Sequence, residues 1–225
     1  MTSDVSHVLS AIPYFDGLEP GTLQAIARSA IGRNYQADQV VFLEGEPCAG
    51  LYVVQEGWLK SVKMSPAGRE QVVRFVGPGE TFNEVGVLAD APNQVTVIAL
   101  EPSTVWLIRR DALVRLLEAD RRLARAVTQN LAHRVLHLMS LIEDLSLRTV
   151  ESRLARLLLE QAGEGVARRH RWATQAEMAA RVGTVPDVLN RALRKLADEG
   201  LIGVERHQIQ VLDHEALEAR AMLEM

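Results

Sequence analysis

The chain has 225 residues, 48% of them hydrophobic and 24% charged, a size that suits one large or two modest globular domains. Its formal net charge of −4 gives no global signal for nucleic acid, so any basic surface has to be local. The single cysteine, Cys48, excludes an internal disulfide and cannot supply the thiolates of a structural zinc site or an iron–sulfur cluster. Cys48 itself reads as a small residue in a loop or at a strand end. No basic N-terminal region leads into an apolar run, and no apolar stretch is long enough to span a bilayer. A cytoplasmic location with no membrane partner is therefore expected.

Val8, Leu9 and Ile12 after a polar start suggest a short helical face. From Tyr35 to Ile108 the period is that of short strands cut by Gly and Pro. "QVVFLEGEP" is a β-branched run closed by a turn, and "LYVVQEGWLKSVKM" is two strands broken at Glu56-Gly57. "SPAGRE" is a turn leading into "QVVRFV" and "GPGE"; "QVTVIAL" and "TVWLIRR" follow. Such a series favours a compact barrel or sandwich with no helix of ordinary length inside it.

From Asp111 the period turns helical. A short helix is expected over Asp111–Leu117. Val127, Leu131, Val135, Leu138, Ile142 and Leu145 then recur at spacings close to 3.5 residues, the mark of a helix seam. A symmetric homodimer that buries the seam is the economical reading.

Past Leu147, "VESRLARLLLEQAG" reads as an amphipathic helix and "GEGVARRHRW" as a charged connector. In "TQAEMAARVGTVPDVLNRALRKLADEGLI", Thr174 with Glu177 forms a capping box for a short helix that Val182-Gly183 breaks. Thr184 is the expected cap of a second helix, with Pro186 in its first turn and Asp187 near its positive end. Leu189, Ala192, Leu193 and Leu196 form its buried stripe, and Gly200 stops it. Two helices joined by a short Gly-containing turn form a helix-turn-helix.

The opposite stripe carries Asp187, Asn190, Arg191, Arg194 and Lys195, residue types that pair with base edges in a major groove. Thr174, Gln175, Thr184 and Pro186 complete the expected DNA-contacting set. Between residues 166 and 206, eight basic residues (Arg168, Arg169, Arg171, Arg181, Arg191, Arg194, Lys195, Arg206) stand against five acidic ones, a local excess of three. Such an excess suits phosphate contacts. "GVERHQIQVLD" alternates and reads as a β-hairpin with its turn near Arg206–Gln208, which makes the motif a winged one. His207 at the tip is read as facing solvent or backbone rather than a metal.

The order of these parts resembles the CRP/FNR family of bacterial transcription regulators. The resemblance rests on "GPGETFNEVGVL", "EDLSLRTVESRLARLLL" and "DVLNRALRKLADEGLI" and covers nearly the whole chain. It implies an α+β fold: an N-terminal cyclic-nucleotide-binding-type β-roll (a double-stranded jelly-roll barrel) over 1–118, a dimerisation helix over 119–146, and a C-terminal winged helix-turn-helix over 147–225. It further implies a homodimer on a palindromic double-stranded DNA operator, an effector at the β-roll/dimer-helix crevice that sets DNA affinity, and RNA polymerase as a further partner. The FNR-like branch reads DNA with Glu-x-x-Ser-Arg; the matching positions here hold Asp187, Asn190 and Arg191. Pro186 stands where the CRP-like branch has an additional arginine.

For the barrel, the resemblance makes Phe82, Asn83, Glu84, Val85, Asn93 and Gln94 the effector pocket. Cyclic-nucleotide-binding members carry Gly-Glu followed by Arg-Ser or Arg-Thr, the Glu accepting from the ribose and the Arg neutralising the phosphate. Here Asn83 replaces the Gly, and Asn93 and Gln94 replace the pair. Weak or no cyclic AMP binding is expected. "DAPN" instead resembles the haem-dependent, nitric-oxide-responsive DNR-like branch, which makes haem a candidate cofactor. Its candidate ligands are His7, His133, His137 and His170, with His133 and His137 one helical turn apart and read as lying towards the barrel.

Three function classes compete. The first is an effector-gated regulator, with variants that are effector-independent or bind another small molecule. The second is a sensor whose C-terminal module binds protein, which Asn190, Arg191 and the basic connector disfavour. The third is an enzyme. It finds no Gly-x-Ser-x-Gly, no Gly-rich phosphate loop with Lys, and no metal-spaced set beyond His133/His137.

Overall fold

A computed structural model of the chain describes residues 9–10, 12, 15, 17–68, 70–161, 166–168, 174–205 and 208–222. Contacts divide the chain into two compact units, Met1–Arg69 with Val73–Leu136, and His137–Met225 with Glu70–Val72.

In the first unit, helix α1 (Pro20–Ser29) precedes β1 (Ala30–Tyr35), β2 (Val40–Phe42), β3 (Gly50–Glu56), β4 (Leu59–Met64), β5 (Glu70–Val76, its first three residues grouped with the second unit) and β6 (Thr81–Phe82). The short helix α2 (Glu84–Leu88), β7 (Thr96–Ala99), β8 (Ser103–Arg109), α3 (Arg110–Ala119) and the long α4 (Arg121–Leu147), which belongs to the second unit from His137 onward, follow. The strands form two sheets of order β1-β8-β3-β6 and β2-β7-β4-β5. This is the double-sheet roll that the strand series predicts.

Side-chain alternation along β3 explains how the roll is built. Tyr52 and Val54 point into the barrel, with Phe42, Leu59, Val97, Val105 and Leu107. Leu51 and Val53 point the other way, into a second core with Val87, Ile108, Leu113, Leu123 and Val127. A strand buried on both faces reads as a continuous apolar run rather than an alternating one, and "GLYVV" is such a run. Leu9 and Ile12 of the expected N-terminal face are buried in this second core; Val8 and His7 lie outside the described residues. Helix α3 begins one residue before the expected Asp111 and ends two after Leu117.

The expected seam on α4 divides. Val127 is buried in its own chain's second core, and Leu131 packs against that core. Val127 faces inward because the first turns of α4 have a sheet and α3 to cover, and Leu131 is half-buried at the edge of that core. Val135, Leu138 and Ile142 are exposed, as are Leu136 and Met139 beside them. The unpartnered apolar face therefore starts about two turns later than the repeat suggests and is broader. No helix among the described residues is long and apolar enough to cross a membrane.

The second unit contains α5 (Val150–Gln161), β9 (Val166–Arg168), α6 (Gln175–Val182), α7 (Pro186–Asp198), β10 (Ile202–Val204), β11 (Gln208–Val211) and α8 (His214–Ala221). Leu154, Leu158, Met178, Leu189, Leu193, Leu196, Ile202, Ile209 and Leu217 form its core. The hairpin β10–β11 is antiparallel as expected; its turn residues Arg206 and His207 lie outside the described residues. The connector departs from the sequence reading. Val166–Arg168 is a strand that pairs antiparallel with β11 and makes the sheet three-stranded, in the order β10-β11-β9. Three residues give no period to read, and the partner strand is forty residues away.

At the junction of α4 and α5, buried Arg148 donates to the Glu143 carboxylate at 2.6 Å and sits 3.1 Å from Asp144. It also donates to the carbonyl of Ala221 at 2.9 Å, which accepts from Ser152 Oγ at 2.7 Å as well. The C-terminal carbonyls of a helix have no partner within it, and these two side chains supply partners at the end of α8.

Candidate nucleic-acid interface and barrel site

In the second unit the helix-turn-helix forms where the sequence places it. Thr174 Oγ1 accepts from the Glu177 amide at 3.2 Å, which makes Thr174 the N-cap of α6. Gly183 closes α6 in the left-handed region (φ 74), the usual helix-ending role of glycine. Thr184 does not cap α7. Its amide donates to the carbonyl of Ala179 at 2.9 Å and so finishes α6, while Val185 is the N-cap of α7 without a side-chain bond. Pro186 forces this outcome, because the residue before a proline is pushed into extended backbone; Val185 sits at φ −109, ψ 156.

Leu189, Ala192, Leu193 and Leu196 of α7 are buried. Asp187, Arg191 and Arg194 are exposed on the opposite side, with Asn190 half-buried at its edge, and Thr174, Gln175 and Pro186 are exposed nearby. The cations are less uniform than the count suggests. Lys195 lies on the Glu151 carboxylate at 2.8 and 2.9 Å. Arg181 sits 3.6 Å from Glu160, where burial pushes its guanidinium down from its ordinary value and Glu160 opposes this. Arg168 (its side chain), Arg169, Arg171 and Arg206 lie outside the described residues, as does His170.

The barrel site is a carboxylate withdrawn from water. Glu84 opens α2 and is 1% exposed. Arg134 of α4 reaches it with both terminal nitrogens, Nη2 at 2.7 Å from Oε1 and Nη1 on Oε2. Nη2 also donates to the Thr81 carbonyl at 2.5 Å, and Nε donates to Asn130 Oδ1, one turn back on α4, at 2.8 Å. A planar guanidinium in this two-pronged arrangement is the strongest form of charge-assisted hydrogen bonding.

Asn83 precedes Glu84 at φ 74, a conformation glycine adopts freely and asparagine tolerates better than most residues. Its amide nitrogen is 3.0 Å from Asn93 Oδ1, 3.1 Å from the Gly50 carbonyl and 3.3 Å from Cys48 Sγ. Asn93 is buried and donates to the Leu43 carbonyl at 3.3 Å. Phe82 stacks on Tyr52, with centroids 4.9 Å apart, and lies 6.0 Å from Phe42. Burial pushes the Cys48 thiol up from its ordinary value and the Tyr52 phenol up to about 12. Of the expected pocket, Phe82, Asn83, Glu84 and Asn93 therefore come together. Val85 is exposed, and Gln94 is exposed with its amide on the Pro92 carbonyl.

Two families match the chain, the cyclic nucleotide-binding domain at residues 32–120 and the Crp-like helix-turn-helix domain at residues 152–220. The chain is built as a CRP/FNR-type transcriptional regulator. Among its relatives, a "CRP-like cAMP-activated global transcriptional regulator" of Mycobacterium tuberculosis is 29% identical, over 96% of this chain and 100% of that protein. The "Cyclic AMP receptor protein" of Thermus thermophilus is 25% identical, over 92% of this chain and 95% of that one. The solved structure of FixK2 from Bradyrhizobium japonicum shares the fold at a TM-score of 0.75 and 24% identity, covering 86% of this chain and 98% of that one.

As a CRP/FNR-type barrel, the site differs from the sequence reading in what faces Glu84. For one of the candidate histidines to ligate a haem iron, its imidazole has to be directed into an enclosed crevice. His133 and His137 are both exposed, and the α4 side chain inserted at Glu84 is Arg134. Neither His133 nor His137 is therefore placed to ligate a haem at this site. Sequence reasoning also left Glu84 without a partner, because Arg134 is fifty positions away. A signal was present: Leu123, Val127 and Asn130/Leu131 define the inward face of α4, and Arg134 is its next member, a cation where an apolar residue is due.

Replacing Arg134 by Ala strands a buried carboxylate, and we expect a loss of about 3 kcal/mol in urea unfolding. The double variant with Glu84→Gln recovers much of this. An Arg134→Ala protein as stable as the parent contradicts the pairing.

Proposed function

We propose that the chain is a sequence-specific DNA-binding regulator that acts as a homodimer on a two-fold symmetric operator, with the N-terminal half of α7 in the major groove. One observation carries the reading: Asp187, Arg191 and Arg194 stand exposed on a helix whose other face, Leu189 to Leu196, is fixed in the core of a Crp-like domain. Arg191 is the residue for a two-pronged guanine contact, Asn190 for adenine, and Asp187 for a cytosine amino group. The exposed apolar face from Val135 to Ile142 supports the homodimer, since a second copy covers it by a two-fold axis along α4. Double-stranded DNA and a second copy are the partners, with RNA polymerase added on the family resemblance alone. The reading is of a binding protein rather than an enzyme.

The relatives named for cyclic AMP invite the same effector here, and the barrel argues against it. Asn93, a neutral side chain committed to Asn83 and the Leu43 carbonyl, stands where the phosphate's cation belongs. The Glu84 carboxylate, which accepts from the ribose in cyclic-nucleotide-binding members, is taken by Arg134. We read the barrel as structural or tuned to another small molecule, with α4 fastened to it by this chain's own guanidinium.

Three measurements bear on this reading. Arg191→Ala should cost at least about 1–3 kcal/mol of specific operator affinity in fluorescence anisotropy, while the protein stays dimeric; unchanged affinity contradicts the assignment of α7. Leu138→Glu should give monomers in sedimentation and lose operator affinity with them; a variant that still sediments as a dimer refutes the α4 interface. Calorimetry with cyclic AMP should show no micromolar binding, and a micromolar isotherm overturns the barrel reading.

A further inference from the structure

Lys195 reads from the sequence as one more phosphate or base contact, and its surroundings give it another task. At 100° per residue, its position lies about 90° round α7 from the mean direction of Asp187, Asn190, Arg191 and Arg194. It sits in the last turn of the helix, away from the N-terminal residues that reach base edges. There it meets Glu151, in the first turn of α5, at 2.8 and 2.9 Å from the two carboxylate oxygens. Each charge suits the helix end that carries it: a cation at the C-terminus of α7 and an anion at the N-terminus of α5.

Glu151 holds a second cation. Arg220 of α8 donates to its Oε2 at 3.1 Å through Nη1 and to the Glu199 carboxylate, at the C-cap of α7, through Nη2. Lys195 and Glu199 are four residues apart on α7. The first is tied to α5 directly, and the second to α8 and then to α5 through Arg220. The four charges cancel and form a chain across three helices. Arg220 is 19% exposed and Glu151 27%, so the middle of the chain of charges is partly shielded from solvent, while Lys195 at 53% forms its open end.

We propose that Glu151 is a positioning residue for the DNA-reading helix, which fixes the rotation of α7 and withholds Lys195 from the phosphate backbone. This rests on the reading of α7 as the helix that enters the groove. With Lys195 neutralised by Glu151 and Arg181 by Glu160, two of the eight cations between residues 166 and 206 face carboxylates that lie outside that window.

The salt dependence of binding separates positioning from phosphate contact, because each neutralised phosphate contributes about 0.9 to the slope of log K against log salt. The experiment measures operator and non-specific duplex binding by the full-length dimer over a salt series, for the parent, Lys195→Ala, Glu151→Gln and the double variant. Expected for Lys195→Ala is a fall in operator affinity of about threefold to tenfold, the order of one half-exposed ion pair in each protomer, with the parent's slope. Expected for Glu151→Gln is a slope steeper by about 1.8 on both duplexes, as Lys195 of each protomer becomes free to reach a phosphate, returning to the parent's value in the double variant. A slope shallower by about 1.8 in Lys195→Ala, or an unchanged slope in Glu151→Gln, overturns the proposal while leaving α7 as the reading helix. Arg191→Ala binding the operator as the parent does removes that reading, and this proposal with it.

Discussion

A carboxylate that has left water requires a cation, and in this chain the requirement falls on Glu84. The two-pronged guanidinium of Arg134 meets it, and so fixes one point of α4 against α2 and the end of β6. Asn130 holds the guanidinium from one turn earlier, so the pair is oriented before it is paired. Such a pair contributes little net stability over an apolar isostere, yet breaking it is costly. Its effect is to specify position, since only one rotation of α4 brings both nitrogens onto Glu84. That rotation turns Leu123 and Val127 inward and leaves Val135, Leu136, Met139 and Ile142 outside.

The same constraint explains how the seam was legible in part. A 3.5-residue repeat records that a helix face is apolar and says nothing about what covers it. Val127 and Ile142 belong to one repeat and to two surroundings, a core of the same chain and an open surface. The strands of the barrel were legible because Gly and Pro punctuate them and β-branched residues fill them. The helix-turn-helix was legible because Thr174, Gly183 and Pro186 each force a local backbone state.

What escaped was non-local. Arg134 and Glu84 meet across fifty residues, β9 meets β11 across forty, and Lys195 meets Glu151 across forty-four. A local charge count cannot see such partners, which is why the basic excess around the helix-turn-helix overstates the cations available there. Thr184 shows the same failing at short range. As a residue type it suits an N-cap, but the proline two positions on hands that role to Val185 and leaves the Thr184 amide to end the preceding helix.

Strand β3 contributes Leu51 and Val53 to one core and Tyr52 and Val54 to the other, so it has no face on which a substitution is silent. A polar residue there has no solvent to turn to, and a slip of one position exchanges the contents of both cores. The barrel's capacity to diversify is therefore unevenly distributed. Its centre is closed to change, while exposed Val85, Leu88, Pro92 and Gln94, a few residues from Glu84, carry no such double duty. A lineage that keeps this roll and alters its chemistry has its freedom at the rim.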